Sequence, residues 1–340
     1  MSWVLLTQDL PPGFVGGVAS WVVDAANALA EGGQSVTVVA RDTGDTAEWD
    51  ARQRWPVVRV QGRSWRRWQG LWLARASRAL VQPGVTVLCA TWPTATGVAP
   101  RARKVGARVL VAAHGSELTT HAVAPRALRA LLGTVEWRPV SAFLAGQLRR
   151  LGAPPERIRV TPMPLPLGPW PPPAGARVGL VCVARLTPLK AVERAIALAR
   201  RLELPLTIVG DGPERAALEG AARGADVRFL GRRTRPDTLT TLSQAAAVVL
   251  LSRADPHGRG AEGLGLVLLE AAARGVPGVV SPVGGLPEAV GPGVVLDNPE
   301  LPDLDPVRAL LADPEAGARA RRWVAQHHGP AAFRAALGGE

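Results

Sequence analysis

Tyrosine is absent from this 340-residue chain, and cysteine and lysine occur only twice each. The two cysteines, Cys89 and Cys182, lie far apart in separate apolar runs, which favours buried thiols over a disulfide and fits a reducing compartment. The five histidines have no metal-ligand spacing, so no metal site is predicted. No uninterrupted apolar run reaches about 18 residues, so no membrane-spanning helix is predicted.

Signals for export and for dinucleotide binding are also missing. The N terminus, "MSWVLLTQDLPPG", has neither the basic region nor the cleavage pattern of a signal peptide, so a cytoplasmic location is expected. The first glycine loop lacks the G-x-G-x-x-G spacing of a dinucleotide fingerprint. Acidic residues are too few to balance the arginines, and the net charge is +12. That excess either reflects GC-rich codon usage or indicates an anionic partner, such as a nucleotide, a membrane surface or nucleic acid.

Apolar runs alternate with segments of helical periodicity along the whole chain, which is typical of parallel sheets in α/β proteins. Predicted strands lie at 3–7, 35–40, 85–91, 108–115, 136–142, 157–167, 178–185, 206–210, 227–231, 246–252 and 278–281. The segment 162–176 contains seven prolines, which remove backbone donors and stiffen the chain. The sequence therefore predicts two Rossmann-like doubly wound domains that face a cleft. Their bounds are 1–165 and 177–325, with a proline-rich linker at 166–176 and a C-terminal helix at 326–340 that packs back on the first domain.

Two loops of the first half carry residues suited to a ligand, because ligands of open parallel sheets bind outside the carboxyl ends of the strands. Gly16 and Gly17 lie between the first strand and the first helix. They either let the backbone approach an anion at the helix N terminus or form a simple tight turn. In "AAHGSEL", His114 is a candidate acid, base or substrate ligand. Ser116 and Glu117 of the same loop also suit a helix cap.

The second half begins with a basic loop, "VARLTPLK", in which Arg185 and Lys190 precede a helix. Cations at a helix N terminus oppose its dipole unless an anion lies between them. A diphosphate suits this placement, because arginine binds it in a bidentate manner and lysine acts as a point charge. Further on, "GDGP" at 210–213 predicts a turn with Pro213 at the first helical position. In "FLGRR", a strand end leads into a basic loop, and the backbone at Gly231 is able to edge a nucleobase, although nothing local requires it.

The stretch "AEGLGLVLLEAAARGVP" at 261–277 carries two carboxylates in an otherwise apolar segment. Glu262 is predicted in a loop, because glycines interrupt the run after it. Glu270 is predicted about one to one and a half turns into a helix that starts near Gly265 and ends at Gly275. Both carboxylates can then face a ligand at that helix N terminus, although Glu270 also simply suits the helix dipole.

Together these segments resemble the retaining, GT-B fold glycosyltransferases of family 4, and the resemblance covers nearly the whole chain. Its strongest part is "SRADPHGRGAEGLGLVLLEAAARGVPGVVSPVGGLPEAV", which looks like the family's E-x7-E segment and the glycine turn after it. The segments "VARLTPLKAVERAI", "IVGDGPERAALE" and "FLGR" match further landmarks in the family's order. The double-glycine loop and "HGSEL" match landmarks of the first half.

The resemblance implies transfer of a hexose from a nucleotide-diphosphate sugar to a glycan, lipid-linked or small-molecule acceptor. It implies retention of anomeric configuration by a front-face route, with no metal and no other cofactor. The domain at 1–165 would serve the acceptor, and the domain at 177–325 would bind the sugar nucleotide. Such an enzyme would be cytoplasmic, with peripheral contact at the inner face of an anionic membrane.

Roles of single residues are also implied by the resemblance. Arg185 and Lys190 would hold the diphosphate and neutralise the leaving group. Glu262 would contact the hydroxyls of the donor sugar, and Glu270 would accept from the ribose hydroxyls. His114 would position the transferring sugar and support developing charge. The implied catalytic residues are His114, Arg185, Lys190 and Glu262, with Glu117 as a weaker acceptor-side candidate. The implied donor-binding residues are Gly16, Gly17, Arg185, Lys190, Gly231, Glu262, Gly263, Leu264, Gly265, Leu266 and Glu270.

The chain departs from the family pattern in two places. The loop between Ser252 and Glu262, "RADPHGRGA", is longer than the short form. In this respect it looks like a subgroup containing bacterial mannosyltransferases that use GDP-mannose. Leu264 stands where many members have phenylalanine, which is a conservative change.

A tryptophan stripe at 62–80 bears on the acceptor. Trp65, Trp68 and Trp72 fall on one helical face. The arginines around them are Arg63, Arg66, Arg67 and Arg75. The stripe is either an interfacial helix that binds an anionic membrane or a core-facing stripe with a solvated basic edge.

Two other classes of protein stay open. One is a sugar-nucleotide epimerase of the same fold, which product analysis would separate. The other is a non-catalytic protein that binds nucleotides, or nucleic acid through its charge, and shows no donor turnover. The ordered cations and carboxylates argue against both, and no nucleic-acid partner is predicted.

Overall fold

The computed structural model describes residues 1–14, 16–62, 65–119, 125–170, 175–255 and 262–338, and only the backbone of residues 65–67, 116 and 119. Part of the predicted linker, part of the loop before Glu262, and Arg63, His121 and His257 lie outside these ranges. The chain forms two compact units. Unit 1 consists of two segments, Met1–Pro166 and the segment that begins at His328, and unit 2 is Leu167–His327.

Unit 1 is built on six parallel strands. They are β1 (Ser2–Thr7), β2 (Ser35–Arg41), β3 (Val57–Val60), β4 (Val85–Cys89), β5 (Arg108–Ala113) and β6 (Glu136–Pro139). Their order across the sheet is β3-β2-β1-β4-β5-β6. The helices of this part are α1 (Gly17–Glu31), α2 (Ala47–Ala51), α3 (Trp65–Ala76), α4 (Trp92–Ala95), α5 (Ala99–Val105), α6 (Ser116–Thr119), α7 (Arg126–Leu132) and α8 (Ala142–Arg150). The central strands are buried along nearly their whole length, which explains their continuous apolar sequences.

Unit 2 repeats this arrangement. Its strands are β7 (Leu180–Val183), β8 (Leu206–Val209), β9 (Val227–Gly231), β10 (Ala247–Leu250), β11 (Gly278–Val280) and β12 (Val294–Val295). Their order is β12-β11-β10-β7-β8-β9, and all neighbours are parallel. Its helices are α9 (Val192–Leu202), α10 (Arg215–Ala221), α11 (Arg235–Gln244), α12 (Leu266–Ala273), α13 (Leu286–Ala289), α14 (Asp305–Ala312) and α15 (Ala316–His327).

The last helix, α16 (Pro330–Leu337), belongs to unit 1. Phe333 of this helix is fully buried. Arg334 Nη1 donates to the carbonyl of Ala28 in α1 at 2.8 Å, and Arg108 Nη1 donates to the carbonyl of Leu337 at 2.9 Å. Within unit 1, the C-terminal helix is therefore fixed by apolar packing and by arginine side chains that cap backbone carbonyls.

Both sheets have the doubly wound strand order, in which the chain reverses its direction of growth between the first and fourth strands. Ligands of such sheets bind at this switch point, outside the carboxyl ends of the strands. The switch points lie between β1 and β4 in unit 1 and between β7 and β10 in unit 2. The predicted fold class is confirmed, and the loops after these strands are the places to look for a site.

The strand assignment from sequence needs three corrections, one wrong strand and two missed ones. The predicted strand at 157–167 is wrong. This segment lies beside β6, with backbone donation from Arg159 to Trp137 at 3.0 Å and from Thr161 to Pro139 at 2.9 Å. The prolines that follow have no N–H to donate, so no ladder continues. The sequence also missed β3 and β12, which are short strands at sheet edges.

Candidate functional site

The loop after β7 carries the first two predicted cations. A single 3-10 turn, Pro188–Lys190, ends in Ala191, which is buried and left-handed at φ 46°. A non-glycine residue in this conformation costs about 1–3 kcal/mol and persists only where the surroundings enforce it. Helix α9 starts one residue later, so Lys190 is held at its N terminus. Arg185 is exposed on the same loop.

The "GDG" turn after β8 supports this loop. A β-carbon at Gly210 would lie 1.8 Å from the carbonyl oxygen of Ala184, and one at Gly212 would lie 2.2 Å from that of Leu186. Only glycine permits so close an approach. The turn was predicted, but α10 begins at Arg215 rather than at Pro213. Its support of the cationic loop was missed, because sequence alone does not show which loops touch.

A charged cluster lies at the switch point of unit 2. Lys190 Nζ forms an ion pair with Oε1 of Glu262, and Ser252 Oγ donates to the same oxygen at 2.8 Å. Ser252 is 2% exposed, and its carbonyl accepts from Ser281 Oγ at 2.6 Å. The structure thus pairs a predicted phosphate-binding cation directly with a predicted sugar-binding carboxylate, and a serine that sequence reasoning missed donates to the same carboxylate oxygen.

The glycine turn after β11 fixes the backbone of Glu262. Gly285 N–H donates to the Glu262 carbonyl at 2.8 Å. A β-carbon at Gly284 would lie 2.1 Å from that carbonyl oxygen, and one at Gly285 would lie 2.2 Å from the carbonyl oxygen of Gly263. The glycine turn after β11 therefore sets the position of Glu262, which lies in the loop after β10.

Helix α12 positions the second carboxylate. Gly265 precedes it in a left-handed conformation at φ 91°, Leu264 is buried beside it, and Leu266 is its first residue. Glu270, the fifth residue, is 7% exposed, and Arg235 Nε donates to its Oε1 at 3.0 Å. Arg235 was not predicted, although a cation in the first turn of a helix is a signal of unusual placement.

Two further residues of unit 2, Gly231 and Cys182, lie on strands of the same sheet. Gly231 ends β9 at φ 69°, and its carbonyl accepts from Gly210 N–H at 2.9 Å, so the backbone itself explains this glycine. Burial raises the pKa of the Cys182 thiol to about 12. That thiol stays protonated at neutral pH and is not a nucleophile. Within the described ranges, no group of three or more histidine, cysteine, aspartate or glutamate side chains is arranged to hold a metal ion.

His114 lies at the carboxyl end of β5 in unit 1. The edge of its ring meets Trp21, with centroids 4.7 Å apart at 72°. Burial lowers the pKa of His114, and the charge of Glu117 and a hydrogen bond with the backbone of Ala90 oppose this only in part. Nε2 is buried and has no hydrogen-bond partner among the described residues. The imidazole is therefore neutral at pH 7, and Nε2 lies in the interior without a partner among the described residues.

Glu117 closes the loop that carries His114. Its carboxylate accepts from the backbone N–H of His114 and from that of Gly115, the latter at 3.1 Å to Oε2. Its own carbonyl accepts from Trp92 Nε1 at 2.9 Å. These contacts fit the helix-capping role that the sequence offers for Glu117. They also occupy the carboxylate that is the weaker acceptor-side candidate.

Gly16 and Gly17 begin α1. A β-carbon at either residue would meet no described atom within 4 Å, and the φ of Gly16 is an extended 160°. Packing within the described part of the chain therefore does not require glycine here. The backbone at the N terminus of α1 is accessible to a ligand.

Helix α3 carries the tryptophan stripe. Trp68 and Leu71 are 46% and 55% exposed, whereas Gln69 and Leu73 are buried. The core-facing interpretation is therefore wrong for Trp68. The side chains of Trp65, Arg66 and Arg67 lie outside the described part of the chain. In the ranges that are described, no helix has both the length and the apolarity needed to cross a bilayer.

Both halves of this chain match known protein families. A sequence profile described as "Glycosyl transferases group 1" matches residues 175–320, and one described as "Glycosyltransferase Family 4" matches residues 15–167. The chain is similar to the GDP-mannose-dependent alpha-(1-6)-phosphatidylinositol monomannoside mannosyltransferase of Mycobacterium tuberculosis. The two are 30% identical over 260 residues, which cover 67% of this chain and 68% of that protein. The chain belongs to the family 4 glycosyltransferases.

This glycosyltransferase is also similar to a GDP-mannose-dependent monoacylated alpha-(1-6)-phosphatidylinositol monomannoside mannosyltransferase of Corynebacterium glutamicum. Identity is 34%, but the match spans only 39% of this chain and 38% of that protein. In three dimensions the transferase resembles the Anabaena protein HepE in complex with UDP and glucose. The TM-score is 0.74 at 16% identity, covering 99% of this chain and 98% of that one. The predicted family and the GT-B fold are confirmed, and the roles of single residues stay predictions.

Proposed function

We propose that this transferase moves a hexose from a nucleoside-diphosphate sugar to a glycan, lipid-linked or small-molecule acceptor, with GDP-mannose as the leading donor. The observation that carries the proposal is the cluster of Lys190, Ser252 and Glu262 at the switch point of unit 2. In this cluster a cation and a carboxylate meet at the carboxyl ends of β7 and β10, where open parallel sheets bind ligands.

The cationic side of the cluster suits the leaving group. A glycosidic bond to a diphosphate breaks with positive charge on the sugar and negative charge on the nucleotide. Lys190 Nζ, with Arg185 on the same loop, neutralises the diphosphate as this charge develops. Because Lys190 is paired with Glu262 before any ligand arrives, its position is set in advance of binding.

The carboxylates suit the two ends of the donor. Glu262 accepts from hydroxyls of the sugar, and the backbone at Gly263, Gly265 and Leu266 meets the sugar and phosphate near the N terminus of α12. Glu270 accepts from the ribose hydroxyls. In unit 1, His114 positions the transferring sugar and supports developing charge, and Gly16 and Gly17 let the backbone approach the substrate.

We propose a retaining, front-face reaction that needs no metal. Retention through a covalent intermediate requires a nucleophile, and two of the described side chains near the cluster do not suit that task. Glu262 is engaged by Lys190 and Ser252, and the nearby Cys182 is held protonated by burial. The diphosphate charge is met by Arg185 and Lys190 in place of a divalent cation.

GDP-mannose is favoured over other donors by two observations. The relatives from M. tuberculosis and C. glutamicum are named as GDP-mannose-dependent mannosyltransferases. The loop between Ser252 and Glu262 also has the longer form that resembles mannosyltransferases of this kind.

A lipid-linked acceptor at an anionic membrane is favoured by α3. Trp68 and Leu71 are large apolar side chains exposed to solvent, and Arg75 and Arg78 lie exposed further along the same segment. Aromatic and basic side chains on one surface helix suit the interface of an anionic bilayer. Sedimentation with phosphatidylserine vesicles tests this proposal. Binding should fall with salt and with Trp68→Ser, and a protein that stays in the supernatant at low salt would contradict it.

Transfer itself is tested by incubating the protein with GDP-mannose, UDP-glucose or ADP-glucose and a phosphatidylinositol-containing lipid extract. The proposal expects nucleotide release together with a hexosylated product, whose anomeric configuration, read by NMR, is that of the donor. Isomerised donor without transfer would indicate an epimerase. Binding without turnover in any acceptor mixture would indicate a non-catalytic protein.

A further inference from the structure

Arg235 occupies a position that its own helix does not need. It is the first residue of α11, where a positive charge opposes the helix dipole. Capping is supplied by neighbours, because Thr234 Oγ1 accepts from Asp237 N–H at 3.3 Å and donates to its carboxylate at 2.7 Å. The placement of Arg235 therefore has to be explained by what its side chain contacts.

One of these contacts is the carboxylate of Glu270. Arg235 Nε donates to Oε1 at 3.0 Å, with side-chain exposures of 28% for the arginine and 10% for the glutamate. Hydrogen bonds between ionised groups are about twice as strong as neutral ones. A carboxylate held in this way, away from bulk water, keeps both its charge and its orientation.

The other nearby cation is anchored differently. Arg274 Nη1 donates to the backbone carbonyl of Glu270 at 2.9 Å, and its guanidinium lies 4.0 Å from the ring centroid of Trp170. Arg274 thus packs against the helix backbone and a tryptophan and acts on the Glu270 carboxylate through its charge, whereas Arg235 donates to that carboxylate directly.

We infer that Arg235 is a positioning residue for ribose recognition, which orients the Glu270 carboxylate to accept from the ribose hydroxyls. This inference rests on the proposed function, in which Glu270 receives the ribose. A residue that acts through Glu270 changes only the binding of the ribose hydroxyls, which Glu270 contacts. Loss of Arg235 should therefore raise the KM for the donor more than it lowers kcat.

The test compares GDP with 2′-deoxy-GDP by calorimetry on the full chain. The wild type should prefer GDP by about tenfold or more, the ratio expected for one hydrogen bond to a charged group. In Arg235→Gln that preference should fall to about twofold, while affinity for 2′-deoxy-GDP changes by less than about threefold. Arg235→Lys should restore part of the preference. Arg228→Gln removes a charge from an exposed position on β9 and should leave both affinities unchanged.

Several outcomes would overturn the inference. Equal loss of affinity for both nucleotides would mean that Arg235 contacts another part of the ligand or only supports α11. An unchanged preference in both Arg235 variants would mean that Glu270 is oriented without it. If Arg235→Gln does not fold, Arg235→Lys carries the comparison, and its preference for GDP should lie between that of the wild type and about twofold. UDP and ADP with their 2′-deoxy forms replace GDP if the base differs, and failure of all three to bind the wild type would sink the proposed function itself.

Discussion

Unit 2 presents its candidate carboxylates already paired with cations, whereas unit 1 presents a half-buried imidazole whose Nε2 has no described partner. In unit 2, Lys190 binds Glu262 and Arg235 binds Glu270. In unit 1, His114 is neutral, lies against Trp21, and keeps Nε2 without a described partner. Charged side chains in a partly buried environment need counterions before a ligand binds, whereas a neutral imidazole does not. The difference suits an ionic donor in unit 2 and neutral hydroxyls in unit 1.

The largest effect is expected when the carboxylate in the paired cluster is neutralised. Glu262→Gln should lower kcat/KM by about 100-fold, because a charged hydrogen bond to the sugar is lost. Affinity for GDP alone should hold or rise, since Lys190 no longer shares its charge with a carboxylate. Steady-state kinetics and calorimetry measure the two quantities. A parallel loss of GDP affinity would show that Glu262 serves the nucleotide and not the sugar.

A smaller effect is expected when the support of the cluster is disturbed. Gly285→Ala would place a β-carbon 2.2 Å from the Gly263 carbonyl oxygen, so the backbone at Gly263, directly after Glu262, must move. The free energy of unfolding should fall by about 2 kcal/mol, and kcat/KM should fall about tenfold in the fraction that stays folded.

Gly220→Ala is the matched control in the same unit. A β-carbon there meets no described atom within 4 Å, and the position lies inside α10. This variant should gain roughly 0.5–1 kcal/mol of stability and keep its activity. If both variants behave alike in denaturant titrations and in turnover, the glycine turn does not position the carboxylate.

The smallest effect is expected at His114 in unit 1. Burial lowers the pKa of His114 in the folded protein. As pH falls below about 6.5, the unfolded chain takes up a proton that the folded protein does not. The stabilising contribution is therefore present at neutral pH and is lost on acidification. Between pH 7 and pH 5 the melting temperature of the wild type should fall more than that of His114→Asn, and equal slopes would contradict the buried neutral imidazole.

The parts of this molecule that sequence predicts are those encoded locally. Buried parallel strands are continuous apolar runs, so β1, β5 and β10 are visible in the sequence. A basic loop after an apolar strand indicated Lys190, and a carboxylate within an otherwise apolar segment indicated Glu262. Contacts between distant segments are not visible, because Arg235 and Glu270 are separated by 35 residues. The direction taken by the Glu117 carboxylate and the approach of the Gly210 turn to its neighbour depend on folded geometry alone.

The central claim is that Lys190 in unit 2 binds the diphosphate of a sugar nucleotide, and the chain offers a matched control. Its other lysine, Lys104, is exposed on α5. Calorimetry with GDP, UDP and ADP should show that at least one binds the wild type. Lys190→Ala should weaken that binding by about tenfold or more, because a cation is lost and the Glu262 carboxylate beside it repels the phosphates. Lys104→Ala should bind as the wild type does. Equal affinities for the two lysine variants, or no binding of any of the three nucleotides, would contradict the account.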